Sequence, residues 1–141
     1  MLKTKKLEST YVLEKLKNEK GILVLAHPLG GIGEPRIDRD KFRERLFRFI
    51  NCGLKGLECV YSLYNNEEQT FLINLAKDNN LIISGGSDYH GKNKKVAIGE
   101  LSSDENQNYN HINLMNYIKR WGAFFKNIFK EIKKIILKKI F

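Results

Sequence analysis

Three short apolar runs, at residues 22–26, 56–61 and 81–84, each follow a stretch with helical spacing, and each leads into residues able to do chemistry. Helix and strand alternating in this way predict parallel strands joined by crossover helices, an α/β chain. The first run, Ile22-Leu23-Val24-Leu25-Ala26, has no polar interruption and reads as a strand buried on both faces. It stops at His27-Pro28, where the proline disfavours helical geometry at the histidine.

The helical stretches carry their own punctuation. Leu7, Val12, Leu13 and Leu16 recur near helical spacing over residues 7–17, and Gly21 suits a stop. Asp38 is placed to cap a helix running to about Asn51, with Phe42, Leu46, Phe49 and Ile50 on one side and Gly53 closing it. Asn65 and Glu68 have capping-box spacing for a third helix bearing Phe71, Leu72, Leu75 and Ala76.

In parallel α/β architectures reactive groups gather past the carboxyl ends of the strands, where loops vary without disturbing the packed layers. His27 follows the first run, Tyr61 and Tyr64 the second, and Asp88 and His90 the third. Asp88-Tyr89-His90 sets a carboxylate and an imidazole two positions apart, on the same face of an extended segment. Taken alone, Asp-x-His is an ordinary loop pattern and His-Pro an ordinary turn. On one rim the three side chains become a candidate shared metal site. Arg36, Lys92 and Lys94 lie on loops at that rim and are candidate phosphate-binding cations. Glu58, inside the second strand, reads as a partly buried acid facing the site, and Cys59 as a small core residue. The Gly30-Gly31-Ile32-Gly33 loop lacks the Gly-Lys-Ser/Thr ending of a nucleotide P-loop.

These residues also carry a resemblance. Ala26-His27-Pro28, Gly53-Leu54-Lys55-Gly56-Leu57-Glu58-Cys59-Val60-Tyr61-Ser62 and Ser84-Gly85-Gly86-Ser87-Asp88-Tyr89-His90-Gly91 resemble later motifs of the PHP family, the polymerase and histidinol phosphatase superfamily. The likeness is to its small bacterial metal-dependent phosphoesterase branch and runs in matching order over roughly residues 10–101. It implies a distorted β/α barrel holding Zn, Mn or Fe ions and hydrolysing a phosphate ester. Metal ligation by His27, Asp88 and His90 is implied, with Asp88 and His90 the catalytic pair; from their place at the rim, Arg36 and Lys92 are candidate substrate-binding residues, as are Tyr61 and Tyr64, for which packing in the core is the alternative. Family members begin with a His-x-His strand, whereas no histidine precedes His27 here. The expected fold is therefore a partial (β/α) barrel of the PHP type with a C-terminal amphipathic helix. Residues 1–101 would form the C-terminal half of the domain, residues 102–116 a polar linker and residues 117–141 the basic helix. The chain would be a truncated product, a split-gene partner or a remnant.

Charge separates that last segment from the rest. The chain has 25 Lys+Arg against 16 Asp+Glu, yet eight of the basic residues and only Glu131 among the acids fall from Lys119 onward. The basic character therefore says little about what the main body binds. Trp121, Phe124, Phe125, Ile128, Phe129 and Ile132 recur at steps of three and four between lysines. Such a helix packs on its own domain, lies on an anionic membrane or binds an acidic partner, and packing is the ordinary case. His111 reads as exposed and structural.

No run reaches the roughly 18 apolar residues of a membrane span, and the basic start has no apolar core behind it, so no secretory leader is expected. Two cysteines outside any Cys-x-x-Cys pair argue against a disulfide framework and for a reducing cytoplasm. Two functions remain. One is a metal-dependent phosphoesterase acting on a small phosphorylated metabolite, a nucleotide or a nucleic-acid end, incomplete as this single chain. The other is a non-catalytic half-barrel serving as a membrane- or partner-binding module. The partners expected are a phosphorylated small molecule or nucleotide, a complementary N-terminal half-domain or second copy, and a membrane surface met through the C-terminal helix.

Overall fold

The computed structural model describes residues 8–19, 21–101, 112–114, 116 and 119. His111 and most of the expected linker and basic helix lie outside the described residues. The elements run α1 (Ser9–Leu16), β1 (Val24–Leu25), α2 (Arg39–Asn51), β2 (Gly56–Tyr61), α3 (Asn66–Asp78) and β3 (Ile82–Gly86), followed by a 3-10 turn at Gly91–Asn93. The three strands form one open parallel sheet in the order β1-β2-β3. With sequential order and parallel pairing, the right-handed crossover rule puts α2 and α3 on the same face, the winding of a β/α barrel. This is the α/β architecture that the alternation predicts.

Local chemistry accounts for both crossover helices. The Asp38 carboxylate accepts from the N–H groups of Asp40 and Lys41 at 3.0 and 3.2 Å, capping α2. Its far end closes as a Schellman motif: Gly53 N–H donates to Ile50 C=O, Leu54 N–H to Phe49 C=O, and Gly53 stands at φ +104°. Asn65 and Glu68 complete the predicted capping box at the start of α3. Asn80, at φ +54°, ends α3 with the same pair of bonds, Asn80 N–H to Lys77 C=O and Leu81 N–H to Ala76 C=O.

The apolar faces meet between the helices and the sheet. Phe42, Leu46 and Phe49 of α2 and Leu72, Leu75 and Ala76 of α3 bury against Leu57 and Cys59 of β2 and Ile83 of β3. Burial pushes the Cys59 thiol up to about 12, so it is a packing group and not a nucleophile. Helix α1 has no buried residue, touches α2 and contributes only Leu13 to the margin of the core.

Two strands differ in length from the sequence expectation. β1 pairs only at Val24 and Leu25, because it is an edge strand and its path turns at His27. β3 runs two residues beyond Ser84 to Gly86, where an irregularity between Glu58 and Val60 lets Gly85 and Gly86 stay in register with Val60 and Tyr61. The outer edge of β3 is also partnered. Ile83 N–H donates to Asn113 Oδ1 at 2.8 Å, and Asn113 N–H donates to Ile83 C=O at 3.0 Å. One residue of the stretch expected to be a linker thus satisfies both outward backbone groups of Ile83. Among the described residues no helix is long and apolar enough to cross a membrane.

Candidate functional site

The parallel sheet carries its polar groups to one rim. His27 lies just past β1, Tyr61 is the last residue of β2, and Asp88 and His90 follow β3. Among the described residues three non-glycines have positive φ: His27 (+29°), Asp88 (+56°) and Asn80. Asn80 is a helix stop, an ordinary use of that conformation. The other two are candidate ligands, held in a costly backbone state that persists only where the surroundings over-determine it.

Those surroundings begin with Glu58. Its carboxylate accepts the His27 N–H at 2.7 Å, fixing the end of β1 to the middle of β2. The space for it comes from Gly86, where a Cβ would stand 2.6 Å from Glu58 Oε1. Burial raises the Glu58 pKa, against the lowering effect of the His27 N–H bond. A carboxylate with a raised folded-state pKa binds more protons folded than unfolded, so its contribution is greatest below the ordinary value of 4.5 and is lost as pH rises through the folded value. In chelator-treated protein, Glu58→Gln is therefore expected to gain stability relative to wild type as pH rises from about 4 to about 7, read as the difference in urea midpoints. A difference that stays flat across that range counts against a buried, destabilised carboxylate.

Tyr61 links the two halves of the rim. Its hydroxyl donates to Asp88 Oδ2 at 3.1 Å, and its ring centroid lies 5.6 Å from that of His27. Burial, helped by Asp88, pushes the phenol up to about 12, so it stays protonated and remains a donor. Asp88 also binds the Lys94 ammonium through Oδ2, while its Oδ1 stands 3.3 Å from His90 Nδ1. The Lys94 bond is the main cause that holds the Asp88 carboxyl below its usual range, assisted by Tyr61 and opposed by burial. His90 Nδ1 is also 2.7 Å from the Asp88 carbonyl oxygen. His27 Nδ1 stands 3.4 Å from Glu34 Oε2.

The structure thus brings together Asp88, His90, Tyr61 and Lys94, with His27 and Glu58 adjoining through Tyr61. Other expected residues have structural partners. Arg36 donates to the carbonyls of Gly30 and Leu63 and to Glu68, with its guanidinium 4.9 Å from the Tyr64 ring centroid. The buried Tyr64 hydroxyl accepts the Leu29 N–H at 2.7 Å. Both residues tie the loop after β1 to the loop after β2. Lys92 is exposed on the 3-10 turn. Beside His27 opens a cleft of about 430 Å³ with an apolar wall of Ile37, Phe42 and Phe49 and a polar mouth of His27, Glu34 and Arg45; its lining includes neither Asp88 nor His90.

A largely buried carboxylate that holds an ammonium and a phenol hydroxyl is a position that selects for a cation. Two imidazoles and a second carboxylate on the same rim are N/O donors of the kind Zn, Mn and Fe take. Among the described residues, however, no three His, Cys, Asp or Glu side chains are grouped to hold one. The sequence ranks Lys92 above Lys94 and offers Glu58 as a partly buried acid facing the site, without a bonded partner for it. The signal for Lys94 lies in the turn geometry after Gly91, and the signal for Glu58 in a glycine across the sheet.

No family model matches the chain, and a search of curated proteins finds no relative. Among solved structures it is similar to a provisionally assigned metal-dependent phosphoesterase from Bifidobacterium adolescentis, with 30% identity and a TM-score of 0.60. The match covers 74% of this chain and 35% of that one, so the chain spans about a third of the length of the protein it resembles. The likeness supports the partial β/α barrel and, in outline, kinship with metal-dependent phosphoesterases.

Proposed function

We propose that this chain carries part of the catalytic centre of a metal-dependent phosphoesterase of the PHP type, with His27, Asp88 and His90 as metal ligands. The observation that carries this reading is the pair of positive-φ residues, His27 and Asp88, at the ends of parallel strands and joined through Tyr61. Similarity to the Bifidobacterium protein supports it. The substrate class is a phosphate ester of a small metabolite, a nucleotide or a nucleic-acid end, and the ion is Zn, Mn or Fe. When bound, such an ion supplies Lewis acidity to the phosphoryl oxygens.

The chain's own residues do the positioning. Glu58 holds the His27 backbone, and the protonated Tyr61 phenol orients Asp88. Lys92, exposed on the loop after β3, offers an ammonium group to an anionic substrate, while Lys94 is held by Asp88. Further ligands would come from a complementary half-domain or a second copy, since a centre that works on phosphate esters needs more donors than these three.

The test is elemental analysis of freshly purified protein together with hydrolysis of a chromogenic phosphodiester. About one equivalent of Zn, Mn or Fe per chain is expected, with turnover, by a self-assembled second copy or on adding the complementary half-domain, that His90→Ala abolishes. Metal-free protein without turnover would favour a half-barrel that acts as a binding module, the reading to which the absence of a three-ligand group among the described residues lends weight.

A further inference from the structure

The margin of the sheet at β3 carries apolar surface beyond the reach of α3. Phe71 of α3 faces α2, with the guanidinium groups of Arg39 and Arg43 over its ring. Ile73, two residues on and so about 200° round the helix, lies half-buried on the opposite flank. α3 packs mainly on β2 and reaches β3 only at its own edge. Gly85 shares the face of β3 that Ile83 presents to the core, and a Cβ there would stand 2.7 Å from Ile112 Cδ1 and 3.0 Å from Val60 Cβ. Val60 is 2% exposed although it lies outside the cluster between the helices and the sheet. Ile112 therefore sits on the helix-covered face, past the flank of α3, where a third helix would complete the layer.

The chain turns helical at that place. Asn113 holds both outward groups of Ile83, and Leu114, Asn116 and Lys119 are helical. Leu114 is half-buried whereas Asn116 and Lys119 are exposed, which sets an inner and an outer side. Counting on at 3.6 residues per turn, Trp121, Phe125, Ile128 and Ile132 fall on the Leu114 side, and Lys126, Lys130 and Lys134 on the side of Asn116 and Lys119. Twenty-two residues follow Lys119, about 33 Å as a helix, more than the 13 residues of α3 span.

We propose that the segment from Leu114 to Ile132 is a third helix of the outer layer, docked between the Ile73 flank of α3 and the sheet margin at Gly85 and Val60, with its lysines in solvent. The anchored Asn113 stands between Ile112, already on that margin, and the start of the apolar stripe. Two apolar surfaces joined so closely meet at high effective concentration, which favours the stripe's own domain over a membrane or a second copy. The basic row is then a solvated outer face, and this docking is independent of any metal at Asp88.

Trp121 is the chain's one tryptophan, so the wild-type protein carries its own probe. In dilute full-length chain without lipid, acrylamide should quench Trp121 about threefold less folded than unfolded in urea. That protection should vanish in the same urea transition as the circular dichroism. A Trp121 as open to acrylamide folded as unfolded overturns the docking. So does protection that arises only with phosphatidylglycerol vesicles, the mark of a membrane face, or only as protein concentration rises, the mark of a second copy. Ile73→Glu puts a charge in the groove and should bring quenching to within about twofold of the unfolded value while α2 and α3 keep their circular dichroism. A Trp121 still fully shielded in that variant overturns the placement. Nuclear Overhauser contacts in wild type between the Ile73 methyl groups and the aromatic rings of the stripe test the placement without a variant, and their absence overturns it.

Discussion

Phe42→Ala is expected to cost about 3–5 kcal/mol of stability, a large share of what holds a small domain folded. The ring is 1% exposed and packs in the cluster that joins α2 to the sheet. It also walls the cleft beside His27, so truncation enlarges a space that already exists, and the loop of Pro28, Gly30 and Pro35 that lines the other side cannot easily collapse into it. Urea unfolding followed by circular dichroism should show a large fall in midpoint with little change in slope. Phe42→Leu, which keeps most of the volume, should cost much less. A Phe42→Ala loss under about 1 kcal/mol would mean that α2 is not the main support of the sheet. Because the same ring supports the loop carrying His27, any phosphoester turnover should fall together with stability in this variant.

How far the chain could be read in advance follows from how local each determinant is. The bounds of α2 and α3 were legible because Asp38, Gly53, Asn65 and Glu68 act within a few residues of the ends they set. β2 was legible as well, being the central strand and apolar apart from Glu58. β1 and β3 were misjudged in length because their ends depend on neighbours. His27 turns the backbone where Glu58 grips it, and Gly86 stays in the sheet because Glu58 needs the room. Asn113 shows the same limit, since nothing in a polar run announces that one amide will pair with Ile83. At the site, the strand-end rule found His27, Asp88 and His90 as candidates, but the links among them were not legible. They run through Tyr61, whose hydroxyl choice depends on register, and through Lys94, whose reach depends on a turn at Gly91.

Asp88→Asn is expected to separate stability from activity, in contrast to Phe42→Ala. Asparagine tolerates the positive φ at this position as well as aspartate does, so the loop after β3 should keep its path. Its amide oxygen can still accept from Tyr61 and Lys94, although without the charge that now holds the ammonium. The stability loss should therefore be modest, about 1–3 kcal/mol, the range for weakening charge-assisted hydrogen bonds whose donors keep an acceptor. Turnover of a phosphodiester should nevertheless fall by about 10³-fold or more, because an amide is a poor ligand for the ion whose Lewis acidity supplies several kcal/mol to the reaction. Asp88→Gly sharpens the comparison. It relieves the backbone strain but leaves the Tyr61 hydroxyl and the Lys94 ammonium without their acceptor, so it should lower the unfolding midpoint more than Asp88→Asn does while abolishing turnover. Calorimetric melting and phosphodiester assays on the two variants decide the matter. If Asp88→Asn retains activity within about tenfold of wild type, Asp88 is a structural anchor for Tyr61 and Lys94, and the chemistry assigned to this rim lies elsewhere.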